Sequence, residues 1–197
     1  MIHSICVFCG SAKGTSSLYA ESAAHLGREI AVRGISLVYG GGNVGTMGIL
    51  AASAMAAGGR VTGIIPRKLH AVVEKLEVTE LVVVEDMHER KALMQERSDA
   101  FVALPGGIGT MEEFFEVWTW RYIGYHRKPV GLLNIGGFYD RLLGFLDTMT
   151  AEGFLDGAIL ADLCVADSAS SILDLLEARI RSGMVPPMKL PELGPET

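Results

Sequence analysis

The chain has 197 residues, 49% of them hydrophobic and 20% charged, with a formal net charge of -6. That is enough apolar side chain for one domain with a full core, and too much for a disordered chain. No run of Lys or Arg exceeds two residues and no apolar stretch approaches the roughly 18–20 residues of a bilayer span, which argues against broad nucleic-acid binding and against a membrane protein.

The opening, MIHSICVFCGS, has neither a basic start nor a long apolar core, so no secretory signal is expected and a cytoplasmic location is. A first strand is expected over Ser4–Cys9. Cys6 and Cys9 within it form a CxxC, but no second CxxC and no His pair at ligand spacing follows, so no metal is expected. Residues three apart on a strand face opposite ways, and both thiols are expected to be buried structural groups.

The pattern then alternates. Helices are expected over Ser17–Arg33, Gly45–Ala57, His88–Arg97, Met111–Ile123, Tyr139–Glu152 and Ser170–Arg181. Strands are expected over Ser36–Tyr39, Arg60–Ile65, Leu81–Val84, Ala100–Leu104, Val130–Leu133 and Leu163–Val165. Gly34, Gly58 and Gly183 sit where helix C-caps belong. Apolar strands alternating with helices predict an α/β fold, a Rossmann-like doubly wound parallel sheet in a single domain, with binding at the C-terminal strand ends. That domain is expected to span 1–183. The stretch 184–197 holds four of the seven prolines and reads as a disordered tail.

Two glycine turns follow strands. In LVYGGGNVGTMG, Gly40, Gly42 and Gly45 satisfy the dinucleotide fingerprint G-x-G-x-x-G, yet no acid for a ribose follows in GGRVTGIIP. A nucleotide or phosphate loop survives that test; an NAD site does not. No Gly-Lys-Ser/Thr follows either turn, so neither is a P-loop.

The second turn, in FVALPGGIGTMEEFFEVW, combines a glycine-rich approach to a helix start, the usual setting for an anion, with two carboxylates, Glu112 and Glu113. With Thr110 as N-cap, Met111, Phe114, Phe115, Trp118 and Tyr122 form one core stripe, and the glutamates point away from it. Thr110 and Glu113 then read equally well as a capping box. Val117 and Trp120 flank Glu113 on the other side, and a subunit interface there would bury them. Upstream, Arg90 is either half of an exposed Asp86–Arg90 pair or a contact for an anion or transition state.

Each signal alone is weak. Together PGGIGTMEE (105–113), MHERK (87–91), YGGGNVGTMG (39–48) and FCGS (8–11), in this order, resemble the LOG (Lonely Guy) family, with EVWTW and KPVGLLN also similar. The resemblance runs from about Ile5 to Arg181. It implies a Rossmann-like enzyme, a hydrolase of N-glycosyl bonds once labelled possible lysine decarboxylase. Such enzymes cleave a nucleoside 5'-monophosphate, for instance a cytokinin riboside 5'-monophosphate, to free base and ribose 5-phosphate. The expected state is a homodimer with the site near the subunit interface, and no cofactor is implied.

Carried over by motif, Arg90 and Glu113 are the expected catalytic pair. Gly106, Gly107, Ile108, Gly109 and Thr110 are expected at the 5'-phosphate, with Glu112 and Lys91 at the ribose or phosphate end. Gly41, Gly42, Asn43, Met47 and Ser11 are expected to line the nucleotide pocket. The chain departs from the family at Val73, seven residues after Pro66, where a substrate-site glutamate is usual; Glu74 lies one place on. Base preference, AMP or N6-prenylated AMP, stays open.

Two other readings compete. A nucleotide carrier of the same fold would bind without turnover. A decarboxylase would need a Schiff-base lysine in a suitable motif, and none is present.

Overall fold

The computed structural model describes residues 1–74 and 76–183, so the expected tail lies outside the described residues. Seven strands form one parallel sheet: β1 (Ser4–Phe8), β2 (Ser36–Tyr39), β3 (Val61–Pro66), β4 (Glu80–Val84), β5 (Ala100–Ala103), β6 (Val130–Leu133) and β7 (Cys164–Ala166), in the order β4-β3-β2-β1-β5-β6-β7. Every pairing is parallel, which requires a crossover between successive strands and explains the alternating pattern.

The chain winds outward from β1 to β4, then crosses back to place β5 on the other side of β1. At that reversal the loops after β1 and β5 diverge to opposite faces and leave a crevice at the C-terminal strand ends.

Helices α1 (Ser17–Val32), α2 (Gly45–Ala56) and α8 (Ala169–Ser182) cover one face. The other is covered by α4 (Met87–Glu96), α5 (Ile108–Tyr122), α6 (Asp140–Ala151) and α7 (Gly157–Asp162). A four-residue α3 (Arg67–His70) follows β3. Both faces being buried, the strands alternate between two cores. Ile5, Val7 and Cys9 enter the first, while Cys6 and Phe8 enter the second, where Phe8 stacks on Phe101 of β5. The CxxC is therefore split across the sheet, and all three cysteines are buried and free. Among the described residues no three His, Cys, Asp or Glu side chains gather as a metal site would require, and no helix is long and apolar enough to cross a membrane.

Helix ends follow local chemistry. Ser16, Asp86, Asp156 and Ser168 cap α1, α4, α7 and α8 with side-chain oxygens, and Gly183 closes α8 in the left-handed region at φ 62°. Helix α5 differs from the expectation in two ways. It starts at Ile108 with Gly107 as N-cap, so Thr110 lies inside the first turn and no capping box forms. Its buried residues are Thr110, Glu113, Phe114, Val117, Trp118 and Arg121, so Glu113 and Val117 point into the protein and the stripe is turned from the expected one. Met111, Phe115 and Tyr122 are only partly buried. Val117 already packs within this chain and needs no second subunit to cover it.

Candidate active site

The crevice at the strand-order reversal holds a cavity of about 380 Å³ lined from four strand ends: Cys9 and Ser11 after β1, Gly40 and Gly42 after β2, Ile65 in β3, and the start of α5 after β5. Such a volume suits a small-molecule ligand.

Its most polar wall is the α4–α5 junction. Arg90 and Glu113 are both buried, at 7% and 8% exposure, with Arg90 Nη1 3.0 Å from Glu113 Oε1. Arg90 Nε also donates to the Ile64 carbonyl at 3.2 Å. Asp86 does not pair with Arg90; its carboxylate accepts from the amides of His88 and Glu89 and caps α4. The exposed-pair reading of Arg90 is thus replaced by a buried one. Burial raises the Glu113 carboxyl above its ordinary value of 4.5, against the lowering pull of Arg90. A glycine is needed for this arrangement, because a Cβ on Gly40 would stand 2.2 Å from Arg90 Nη2.

Around that pair lies a looser charged layer. Lys91 Nζ bonds to Glu112 and, at 2.9 Å, to Glu116. Two cations thus face three carboxylates, leaving one net negative charge, an environment that favours positive charge developing on a ligand. Lys91 is turned along α5 and does not line the cavity, whereas Glu112 does. Glu116 has no motif signal of its own in the sequence.

The two glycine turns have different tasks. At α5 no side chain caps the helix, so the amides of Ile108, Gly109 and Thr110 are open to an anion, with the positive end of the dipole behind them. Gly106 lets the turn close, since a Cβ there would meet Thr110 Oγ1 at 2.1 Å. At α2 two of the corresponding donors are occupied: the amides of Thr46 and Met47 both bond to the Gly10 carbonyl, and Thr46 Oγ1 bridges the Gly10 amide and carbonyl. Gly45, at φ 57°, permits that contact, because a Cβ would sit 2.3 Å from Ser11 carbonyl carbon. The start of α2 is therefore a strut that seats the β1 loop, while Gly40 and Gly42 of the same turn line the cavity.

Of the other expected pocket residues, Ser11, Gly42, Met47, Gly107, Ile108, Gly109 and Thr110 line the cavity. Gly41 instead packs on β3, and Asn43 holds the loop after α3, its amide donating to the Glu74 carbonyl at 2.9 Å and Nδ2 to Glu74 Oε1 at 3.3 Å. The loop question is resolved by placement: Val73 lines the cavity, and the Glu74 carboxylate faces Asn43. Cys9 also reaches the cavity, with its thiol pushed up to about 12 by burial, and so meets a ligand uncharged.

A family model described as possible lysine decarboxylase matches residues 47–176. The chain is 48% identical over 179 residues to the probable cytokinin riboside 5'-monophosphate phosphoribohydrolase LOGL1 of Oryza sativa subsp. japonica, covering 90% of this chain and 80% of that protein. It is 46% identical over 174 residues to the cytokinin riboside 5'-monophosphate phosphoribohydrolase LOG2 of Arabidopsis thaliana, covering 88% and 82%. Among solved structures, the molybdenum cofactor binding protein of Rippkaea orientalis aligns with a TM-score of 0.67 at 25% identity, over 90% of this chain and 96% of that one. The molybdenum cofactor carrier protein of Chlamydomonas reinhardtii aligns at 0.66 and 22%, over 90% and 98%, and shares the fold.

Proposed function

The chain belongs to the LOG family of cytokinin riboside 5'-monophosphate phosphoribohydrolases, and on that premise we propose that it hydrolyses the N-glycosidic bond of a nucleoside 5'-monophosphate. The substrate is AMP, an N6-modified AMP, or both, and the products are free base and ribose 5-phosphate. The observation that carries this reading is the buried Arg90–Glu113 pair beside an uncapped helix start.

In this reading the 5'-phosphate sits on the amides of Ile108, Gly109 and Thr110, with Ser11 beside it and the Gly106–Gly107 turn behind. That places the ribose against Glu113 and Glu112. The C1'–N bond breaks with its electron pair leaving on the base, positive charge builds on the ribose, and water forms the new C1'–O bond while its proton passes to the base. Glu113 stabilises the oxocarbenium-like state and orients the water; Arg90 holds that carboxylate in place and ionised. Lys91 acts through Glu112 and Glu116, as a positioning residue. Phosphate and carboxylates thus meet different ends of one ligand, which answers the apparent conflict in PGGIGTMEE.

The test is chromatography of free base after incubation with AMP and with N6-isopentenyl-AMP. Release from either supports the hydrolase. Tight nucleotide binding without turnover would favour a carrier. A carrier has no need of a buried ion pair beside the ribose.

Because burial raises Glu113, the ionised form that catalysis needs is lost at a higher pH than for an ordinary glutamate. The acid limb of kcat/KM is expected above pH 4.5, and Arg90→Lys, which loses the planar fork, is expected to move it upward. A limb below 4.5 in the pH profile would contradict Glu113 as the titrating group.

We further propose one working unit over 1–183, a cytoplasmic location and a homodimer. Leu69, Met87 and Ile108 stand at the cavity rim with 41%, 40% and 91% exposure, apolar surface that a second copy would cover near the site. Light scattering is expected to give twice the mass of 21.1 kDa, and a monomer at working concentration would refute the dimer.

A further inference from the structure

The cavity is polar at one end only. From the amides of α5 its wall passes Glu113 and Arg90, then Gly40, which lies against Arg90, and then Gly42, over which Val73 leans; a Cβ on Gly42 would stand 3.2 Å from Val73 Cγ1. Beyond Arg90 the lining side chains are Val44, Met47, Ile65, Leu69, Val73 and Met87, and none carries an N–H or O–H. Asn43, between the lining residues Gly42 and Val44, is committed to Glu74.

The placement of Val73 is set by backbone. Its amide donates to the Leu69 carbonyl at 2.9 Å, and the next residue's carbonyl accepts from Asn43. The loop is thereby tied to α3 on one side and to the glycine turn on the other. A slip of one residue would put the Glu74 carboxylate where the valine now stands.

We infer that Val73 determines specificity, selecting a base whose exocyclic nitrogen carries a purely hydrocarbon substituent over the same substituent bearing a hydroxyl. The inference rests on the nucleotide hydrolase reading above, which puts the ribose at Glu113 and so the base at this apolar end. A hydrocarbon chain gains by leaving water, in proportion to the area buried. A hydroxyl on that chain must give up its water bonds, and the wall offers no side chain to replace them. An apolar site rejects an added hydroxyl by at most about 100-fold, so the expected discrimination is about 10- to 100-fold in kcat/KM.

The experiment compares N6-isopentenyl-AMP with its terminally hydroxylated counterpart, using the full chain. Val73→Thr keeps the shape and supplies a hydroxyl, and is expected to shrink the ratio several-fold, with the melting temperature recorded to show that the fold is kept. A wild-type ratio near one, or a ratio unchanged in Val73→Thr, overturns the inference and leaves the hydrolase standing. No base release from AMP or from either N6 nucleotide overturns the hydrolase reading and the inference with it.

Discussion

Replacing Glu113 by Gln is expected to lower kcat/KM for base release by about 10²- to 10⁴-fold, the range for loss of a positioned acid–base or charge-stabilising group. Glutamine has nearly the same shape and keeps the polar contacts of the site, so the loss reports charge and proton affinity. Arg90 stays buried with its carboxylate partner neutralised, and some loss of stability accompanies the change. Melting and turnover therefore have to be measured on the same sample. Full activity with a lowered melting temperature would make the pair an element of the fold and remove Glu113 from the chemistry. Lost activity with retained nucleotide affinity, read by calorimetry, is the expected outcome. It would also separate this chain from a carrier, in which the same change would alter binding alone.

The sheet is legible in the sequence because burial on both faces leaves strong, bounded apolar runs. Expected and observed limits agree for β2 (Ser36–Tyr39) and β6 (Val130–Leu133); β1, β4 and β5 differ by one residue at one end, and β3 and β7 lie one residue further along the chain. Helices α3 and α7 leave no pattern in the sequence: four and six residues are too short for a 3.6-residue period to register. The buried face of α5 differs from its apolar stripe for another reason. A hydrophobic stripe locates apolar contacts, but Glu113 and Arg121 are buried through partners on α4 and at the end of α7, far away in sequence. Periodicity carries no information about such partners, so a buried charge reads as a solvated one. The first glycine turn shows the same limit. Its spacing fits a phosphate loop and does not reveal that the Gly10 carbonyl lies across the Thr46 and Met47 amides of α2.

The far end of α5 supplies the largest expected effect on stability. Asp162→Ala is expected to cost about 3–5 kcal/mol, the range for removing one member of a buried ion pair, and to lower the melting temperature by roughly 10 °C in a chain of this size. Arg121 is 2% exposed; Nε and Nη2 both donate to the Asp162 carboxylate, the second at 3.0 Å, and Nη1 donates to the Arg127 carbonyl. Arg179 of α8 adds a contact to the same carboxylate at 3.3 Å. The substitution thus removes the counter-charge from a guanidinium that stays buried, and loosens α5 from α7 and α8 together. Glu113 lies on the same buried side of α5, about two helical turns nearer the cavity. The Arg121–Asp162 pair therefore fixes one end of the helix whose other end carries the proposed chemistry. Well below the new melting temperature, kcat is expected to change far less than in Glu113→Gln, because no atom of Asp162 lines the cavity. The paired replacement Arg121→Met with Asp162→Leu is expected to recover most of the lost stability, since it leaves no buried charge uncompensated. A drop of less than about 2 °C for Asp162→Ala alone would mean that the pair contributes little and that apolar packing of Phe114, Val117 and Trp118 holds the helix by itself.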